Sequence, residues 1–252
     1  MDTPVGALRA SVGRLHQLAG SLDDAQIESQ SYCDDWSIAQ VLSHLGSGAV
    51  ISLRALQDAR AGTSPPDGFN QSVWDEWNAK TPRAQADEAL VADEALVAAY
   101  EAVDDDERGR LTFAMGPLSL GFDQLVGLRL NEHAFHTWDI AVMFDGAAGL
   151  PDDAAALVVD NLALIARFSA RPDGEERTIG IRTTAPRRDI ALRLSADGVE
   201  LVPGGPGRSP DLELPAEALC RLVYGRLDPD HTPTVSGDAA LLVSLRAVFP
   251  GP

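Results

Sequence analysis

The chain is short of positive charge, of cysteine and of long apolar runs, and each shortage excludes something. Among 252 residues there are 20 Lys and Arg against 38 Asp and Glu, a formal net charge of −18 at pH 7. Such a surface repels nucleic-acid phosphates and anionic lipid, which removes nucleic acid and membranes from the expected partners. Lys80 is the single lysine; the other basic residues are arginines. The two cysteines, Cys33 and Cys220, are far apart and outside any C-x-x-C pair, which excludes a cysteine-based zinc site and a disulfide framework. No apolar run approaches ~20 residues, so no spanning helix is expected. The amphipathic N-terminus carries charges and lacks the continuous apolar core of a signal peptide, making the cytoplasm the expected compartment. What is present is a hydrophobic content of 45 %, ordinary for a globular core. The length suits one large domain or two of common size.

Hydrophobic spacing predicts helices over most of the first two thirds. Residues 3–20 repeat Val5, Leu8, Val12, Leu15 and Leu18 at helical intervals, with Pro4 at the first helical position. A polar loop is expected over SLDDAQIESQSYCDD. Ser37 and Gln40 then form a capping box, flanked by Trp36 and Val41 as a hydrophobic staple, so a helix starts at Ile38. It runs to about Arg60, where Gly62 stops it. A short helix is read in QSVWDEWNAK and a longer one from Thr81-Pro82 to about Val103, broken by DDDERGR. TFAMGPLSLG is expected as a loop, followed by helices over about 121–144 and from Asp152 or Asp153 to about Ala170. Beyond residue 172 the period changes to two in TIGIRTT, DIALRLS and GVELVPG, with ADG as a hairpin turn. GGPGRSP reads as a loop and DLEL as a short strand. Pro215 opens a helix, PTVSGD gives a strand and turn, and Asp238 caps a last helix. The expected organisation is therefore an all-α region, residues 1–172, packed as an antiparallel four-helix bundle, then a small α+β domain, 173–252.

Glu132 and His136 stand four residues apart and share one helical face. His44 on the capped helix offers a third donor, completing a His/Glu/His set. Such a set suits a divalent ion and leaves a coordination position for water or substrate. Leu125 and Leu128 make the Glu132 face apolar, so the carboxylate there needs a partner. His133 and His136 are a competing pair, but His133 is rotated about 100° from Glu132. Pattern favours Glu132 with His136. A lone histidine such as His44 is more often a hydrogen-bonded core residue than a ligand. His16 and His231 have no companions. Asp139 fits either a carboxylate behind a ligand imidazole or a surface ion-pair partner. Trp36 reads as staple and core, and Cys33 is given no catalytic role.

CDDWSIAQVLSHL (33–45) and LRLNEHAFHTWDIA (128–141) resemble the mycothiol-dependent maleylpyruvate isomerase family, part of the wider DinB-like group of metal-binding helical bundles. The Arg-x-x-Glu-x-x-x-His-x-x-Asp string of that family matches Arg129, Glu132, His136 and Asp139. ALCRLVYGRLDP, TVSGDAALL and RAVFPG resemble the family's small C-terminal domain, which is similar to sterol-carrier folds. The resemblance implies that His44, Glu132 and His136 bind a divalent metal, zinc with nickel as the other option, and that mycothiol is the co-substrate. It also implies an arginine of the second domain near an anionic substrate, matched here by Arg226. The other reading of Arg226 is a cation at a helix C-terminus.

The expected function is thus a metal-dependent enzyme in which a low-molecular-weight thiol attacks a small electrophilic or anionic substrate. The outcome is either cis/trans isomerisation or S-transfer, with Arg226 or Arg129 facing the substrate's charge. The alternative is a non-catalytic protein of the same fold that holds a metal or small ligand. Substrate identity and oligomeric state stay open.

Overall fold

Side-chain caps set where several helices of this chain begin. The computed structural model describes residues 3–116, 118–205 and 209–251, and the chain divides into two units, Met1–Asp145 and Gly146–Pro252.

In the first unit α1 (Pro4–Ala19) starts behind Thr3, whose hydroxyl accepts from the Gly6 amide at 3.1 Å. The expected loop after it contains a short helix, α2 (Asp24–Glu28), because Asp23 and Gln26 form a capping box and Ile27 is fully buried. The box before α3 (Ile38–Ala61) is present in full. The Gln40 amide donates to Ser37 Oγ at 3.3 Å, and the Ser37 amide donates to Gln40 Oε1 at 2.8 Å. Gly62 ends α3 in the left-handed region, at φ 66°. α4 (Phe69–Asn78) follows, then α5 (Pro82–Glu101) behind the Thr81 cap. DDDERGR, expected only to break a helix, forms the one-turn α6 (Asp105–Arg108). The expected loop over 112–121 is a hairpin, β1 (Thr112–Met115) with β2 (Leu118–Gly121); Pro117 within it lies outside the described residues. α7 (Phe122–Ala141) completes the unit.

α3 packs on α4, α5 and α7, while α1 packs on α5 and α7. Leu15, Ile27, Ile38, Leu42, Leu45 and Trp77 sit together in the core. Gly46 lets α3 approach α5: a methyl there would run into the Trp77 ring and come within 2.9 Å of Ala89 Cα.

The second unit begins with α8 (Asp152–Ser169). β3 (Arg177–Thr184), β4 (Arg187–Ser195) and β5 (Gly198–Pro203) form an antiparallel meander, the Ser195–Gly198 pair closing the expected turn. Its register stacks Ile179 on Leu192 and Leu192 on Leu201, all buried, as the period-two pattern requires. β6 (Leu212–Leu214) joins β3 in parallel; residues 206–208, in the expected GGPGRSP loop before it, lie outside the described residues. Then come α9 (Ala216–Val223), β7 (Ser236–Gly237) and α10 (Ala239–Val248). The sheet order is β5-β4-β3-β6-β7. α8 packs on α9 and β5, so the division falls one helix earlier than the boundary expected near residue 172. The architecture is a helical N-terminal region followed by a sheet-containing C-terminal unit. No helix among the described residues is long and apolar enough to cross a membrane.

Candidate metal centre

α3 and α7 bring His44, Glu132 and His136 to one place. Glu132 Oε2 lies 3.1 Å from His44 Nε2 and 3.7 Å from His136 Nε2. The three donor atoms lie within 4.8 Å of one another. The capping box sets the start of α3 at Ile38, nearly two turns before His44, and the four-residue spacing on α7 aligns the other two. Two imidazole nitrogens and one carboxylate oxygen fit a tetrahedral divalent ion with its fourth position open. Glu132 is not on a buried stripe as its apolar neighbours suggested. Its side chain keeps 48 % exposure and that of His44 keeps 36 %, so the set sits at an edge of the helices, open to solvent.

A second layer orients His136. Its Nδ1 lies 2.8 Å from Oδ2 of Asp139, which is fully buried, and the Cys33 thiol donates to the same oxygen at 3.1 Å. The carboxylate fixes the ring proton on Nδ1 and leaves Nε2 turned toward Glu132. Of the two roles open to Asp139, the buried carboxylate behind the imidazole is the one found. Cys33, given no role from sequence, lies 3.9 Å from His136 Nδ1 and forms, with His136 and Asp139, a second group able to ligate. Trp36 packs on the core and also lies against both imidazoles, with ring centroids 5.2 Å from His44 and 6.1 Å from His136.

These contacts shape the charges. Neighbouring side chains partly desolvate the half-exposed Glu132 carboxyl, which opposes its ionisation, yet hydrogen bonds from His136 and His44 hold it well below the usual carboxylate range. Burial also disfavours a charged His136, but hydrogen bonds to Asp139, Cys33 and Glu132 prevail and push it up to about 10. In the protein alone the cluster is an imidazolium held by carboxylates, a place where a cation can displace a proton.

The competing histidine, His133, faces elsewhere. It is fully buried, with Nδ1 2.9 Å from Ser11 Oγ and Nε2 3.3 Å from Asp93 Oδ2. Arg129 shares that network: Nη2 donates to Asp93 Oδ1 at 2.6 Å and to the Leu45 carbonyl at 2.7 Å. Arg129 is 7 % exposed and is committed to Asp93, so it is not the cation offered to a substrate. His16 Nε2 meets the Leu90 carbonyl at 3.0 Å and His231 pairs with Asp228 at 2.8 Å; neither joins the candidate ligands. Arg226 follows α9 in the second unit, buried, with Nη1 donating to the Tyr224 carbonyl at 3.1 Å.

A cleft of about 430 Å³ opens beside His44, walled by α3, α4 and α5. Sequence reading missed it. The available signal was the spacing of Gln71, Trp74 and Asn78 along one face of α4, opposite buried Val73 and Trp77.

The family model described as the mycothiol maleylpyruvate isomerase N-terminal domain matches residues 8–141, a span that holds all three candidate ligands. No curated protein matches the chain. Among solved structures, the crystal structure of the mycothiol-dependent maleylpyruvate isomerase is similar with a TM-score of 0.65 at 14 % identity, over 94 % of this chain and 93 % of that one. A histidine-to-alanine mutant of that isomerase gives a TM-score of 0.65 at 13 % identity with the same coverage. At such identity the likeness shows the fold.

Proposed function

This chain belongs to the mycothiol maleylpyruvate isomerase N-terminal domain family, and from that premise we propose that it is a mycothiol-dependent, isomerase-like enzyme whose centre is a divalent metal site. The observation that carries the reading is the convergence of His44, Glu132 and His136 within 4.8 Å, at a solvent-open edge beside a cleft. Zinc suits this donor set best, with nickel the second choice. In the finer reading the first unit is a DinB-like four-helix bundle and the second is sterol-carrier-like.

His44, Glu132 and His136 would hold a divalent ion, which would supply Lewis acidity able to lower the pKa of a thiol brought to it. The thiol supplies the nucleophile: addition to a cis double bond, rotation about the resulting single bond and elimination return it unchanged with a trans product. The chain's own residues prepare that chemistry. Asp139 keeps the His136 proton on Nδ1, and Trp36 lies against both imidazoles and helps hold their rings in place. The cation that would meet an anionic substrate is assigned to Arg226, through the family resemblance of its segment.

The test is metal analysis of the purified protein beside His44→Ala and Glu132→Ala, with maleylpyruvate turnover measured with and without mycothiol. Near-stoichiometric metal in the wild type, its loss in both variants, and thiol-dependent formation of the trans isomer are expected. Equal, negligible metal in all three proteins overturns the site, and turnover without mycothiol overturns the thiol chemistry. A conjugate accumulating in place of the isomer reassigns the protein as an S-transferase.

A further inference from the structure

We propose that Cys33, His136 and Asp139 form a second metal position, selective for a soft divalent ion such as cadmium, and that its occupant takes His136 away from the centre at His44 and Glu132. The antagonism rests on the reading that His44, Glu132 and His136 hold the working ion; the second position itself does not.

The segment before α3 and the last turn of α7 bring these three donors together. Cys33 Sγ lies 3.1 Å from Asp139 Oδ2 and 3.9 Å from His136 Nδ1, and that oxygen lies 2.8 Å from that nitrogen. A tetrahedral ion about 2.3 Å from sulfur and about 2.0–2.1 Å from nitrogen and oxygen spaces its donors roughly 3.3–3.6 Å apart. The observed separations lie on either side of that range, so shifts of about half an ångström seat the ion. The sulfur is also held in place. The Cys33 amide donates to Ser31 Oγ at 3.2 Å, and the Cys33 carbonyl accepts from Gln30 Nε2 at 2.7 Å and from the Trp36 amide at 3.2 Å. The Tyr32 amide donates to the Asp139 carbonyl at 3.0 Å, which fastens this segment to the end of α7.

The two ligand sets differ in charge and in softness. A Cys33 thiolate and the Asp139 carboxylate together cancel a dication, and a neutral complex is the kind that tolerates burial. Asp139 is fully buried and His136 is 9 % exposed, while half-buried Cys33 leaves an approach for the ion. Glu132 alone leaves the centre at His44 with one positive charge, at an open edge where water screens it. A thiolate selects soft ions, whereas imidazole with carboxylate takes harder ones.

One ring cannot serve both positions. The soft ion replaces the protons on Cys33 Sγ and His136 Nδ1, which leave to solvent. The neutral imidazole then carries its remaining proton on Nε2, the nitrogen that faces Glu132 Oε2 at 3.7 Å. That proton occupies the lone pair the first centre needs. Each ion therefore weakens the binding of the other, and by the same factor.

Cadmium chloride alone is the probe, added to the full chain after a chelator has removed bound metal. The wild type and His44→Ala should both develop the ultraviolet charge-transfer band of a cadmium–thiolate bond at stoichiometric cadmium. Cys33→Ser should lose the band with helical circular dichroism unchanged. Cys220→Ser should keep it, because Cys220 is fully buried in the second unit. Asp139→Ala should need at least roughly tenfold more cadmium, since a direct ligand is worth no less than a group behind one. In zinc-loaded wild type, cadmium should release zinc to a chromogenic dye as the band grows. No band in the wild type, or a band that persists in Cys33→Ser, overturns the site. So does a band that forms in Asp139→Ala at the wild-type cadmium concentration, because a thiol alone then suffices. A full band with zinc retained overturns the antagonism. Failure of the first metal reading looks different: wild type and His44→Ala then hold equally little zinc before cadmium is added, while the band still depends on Cys33 and Asp139.

Discussion

Replacing Asp139 should weaken metal binding without dismantling the first unit. Its Oδ2 sits 2.8 Å from His136 Nδ1 and 3.1 Å from Cys33 Sγ, with no exposure to solvent. Asp139→Asn keeps the volume and one carbonyl acceptor but removes the charge that makes the imidazole a strong donor to a cation. Asp139→Ala removes the acceptor too, so the ring proton is free to move to Nε2, where it blocks the ion. Loss of a carboxylate behind a ligating histidine costs roughly 10–100-fold in affinity, which is about 1.4–2.7 kcal/mol. Asparagine should fall near the lower figure and alanine near the higher. Zinc affinity is read by competition with a chromogenic chelator at neutral pH, and thermal melts of the metal-free proteins separate weakened binding from unfolding. The reasoning is refuted if both variants bind zinc as the wild type does while His44→Ala has lost it.

Cys33→Ser should leave zinc affinity within a fewfold of wild type by the same competition, because the thiol meets Asp139 and His136 behind the three candidate ligands; a loss as large as that of His44→Ala would instead assign the ion to the Cys33, His136 and Asp139 group. Zinc binding should release about one proton at neutral pH, because His136, raised to about 10, must surrender its proton. Calorimetry in buffers of different ionisation enthalpy measures this, and apparent affinity should fall about tenfold for each unit of pH decrease through the neutral range. Without metal the His136 pairing stabilises the fold fully below its ordinary 6.5 and fades as pH rises through about 10. Asp93→Ala should cost about 3–5 kcal/mol in denaturant unfolding of the first unit, since it leaves Arg129 charged and buried without its carboxylate. Burial opposes ionisation of Asp93, but His133 and Arg129 hold its carboxyl below the usual 3.8. The difference between wild type and Asp93→Ala should therefore be full above that value and shrink as pH falls through the lower, folded one.

The candidate ligands and their helices were legible because short-range rules determine them. The Ser37/Gln40 box, the Gly62 stop and the four-residue spacing of Glu132 and His136 each act within a turn or two. The same grammar was available at Asp23 and Gln26, but acidic and polar neighbours concealed Ile27 as an anchor, and the segment read as a loop. The 112–121 hairpin was hidden for the opposite reason: Gly116-Pro117 signals a turn, while its strands are only four residues long. Long-range pairings were not legible at all. Nothing local says that Asp93, thirty-six residues upstream, neutralises Arg129, so that arginine looked available to a substrate. Cys33 likewise gains its partner only when the chain before α3 is set against α7. The cleft required three helix faces to meet, and a stripe of Gln, Trp and Asn on one of them carries no meaning alone.

The buried network around His133 determines what the ion has left to do. Through it α7 is bonded to Ser11 of α1, to Asp93 of α5 and to the Leu45 carbonyl of α3. Three tethers on one flank suppress rotation of α7 about its own axis, and Glu132 and His136 on the other flank inherit a fixed azimuth. The ligands are thus aimed before any ion arrives, so its binding energy goes into coordination and not into ordering the helix. A chelator should strip the ion and leave helical circular dichroism unchanged, and re-addition should restore the centre at the pace of diffusion and ligand exchange, without a folding step.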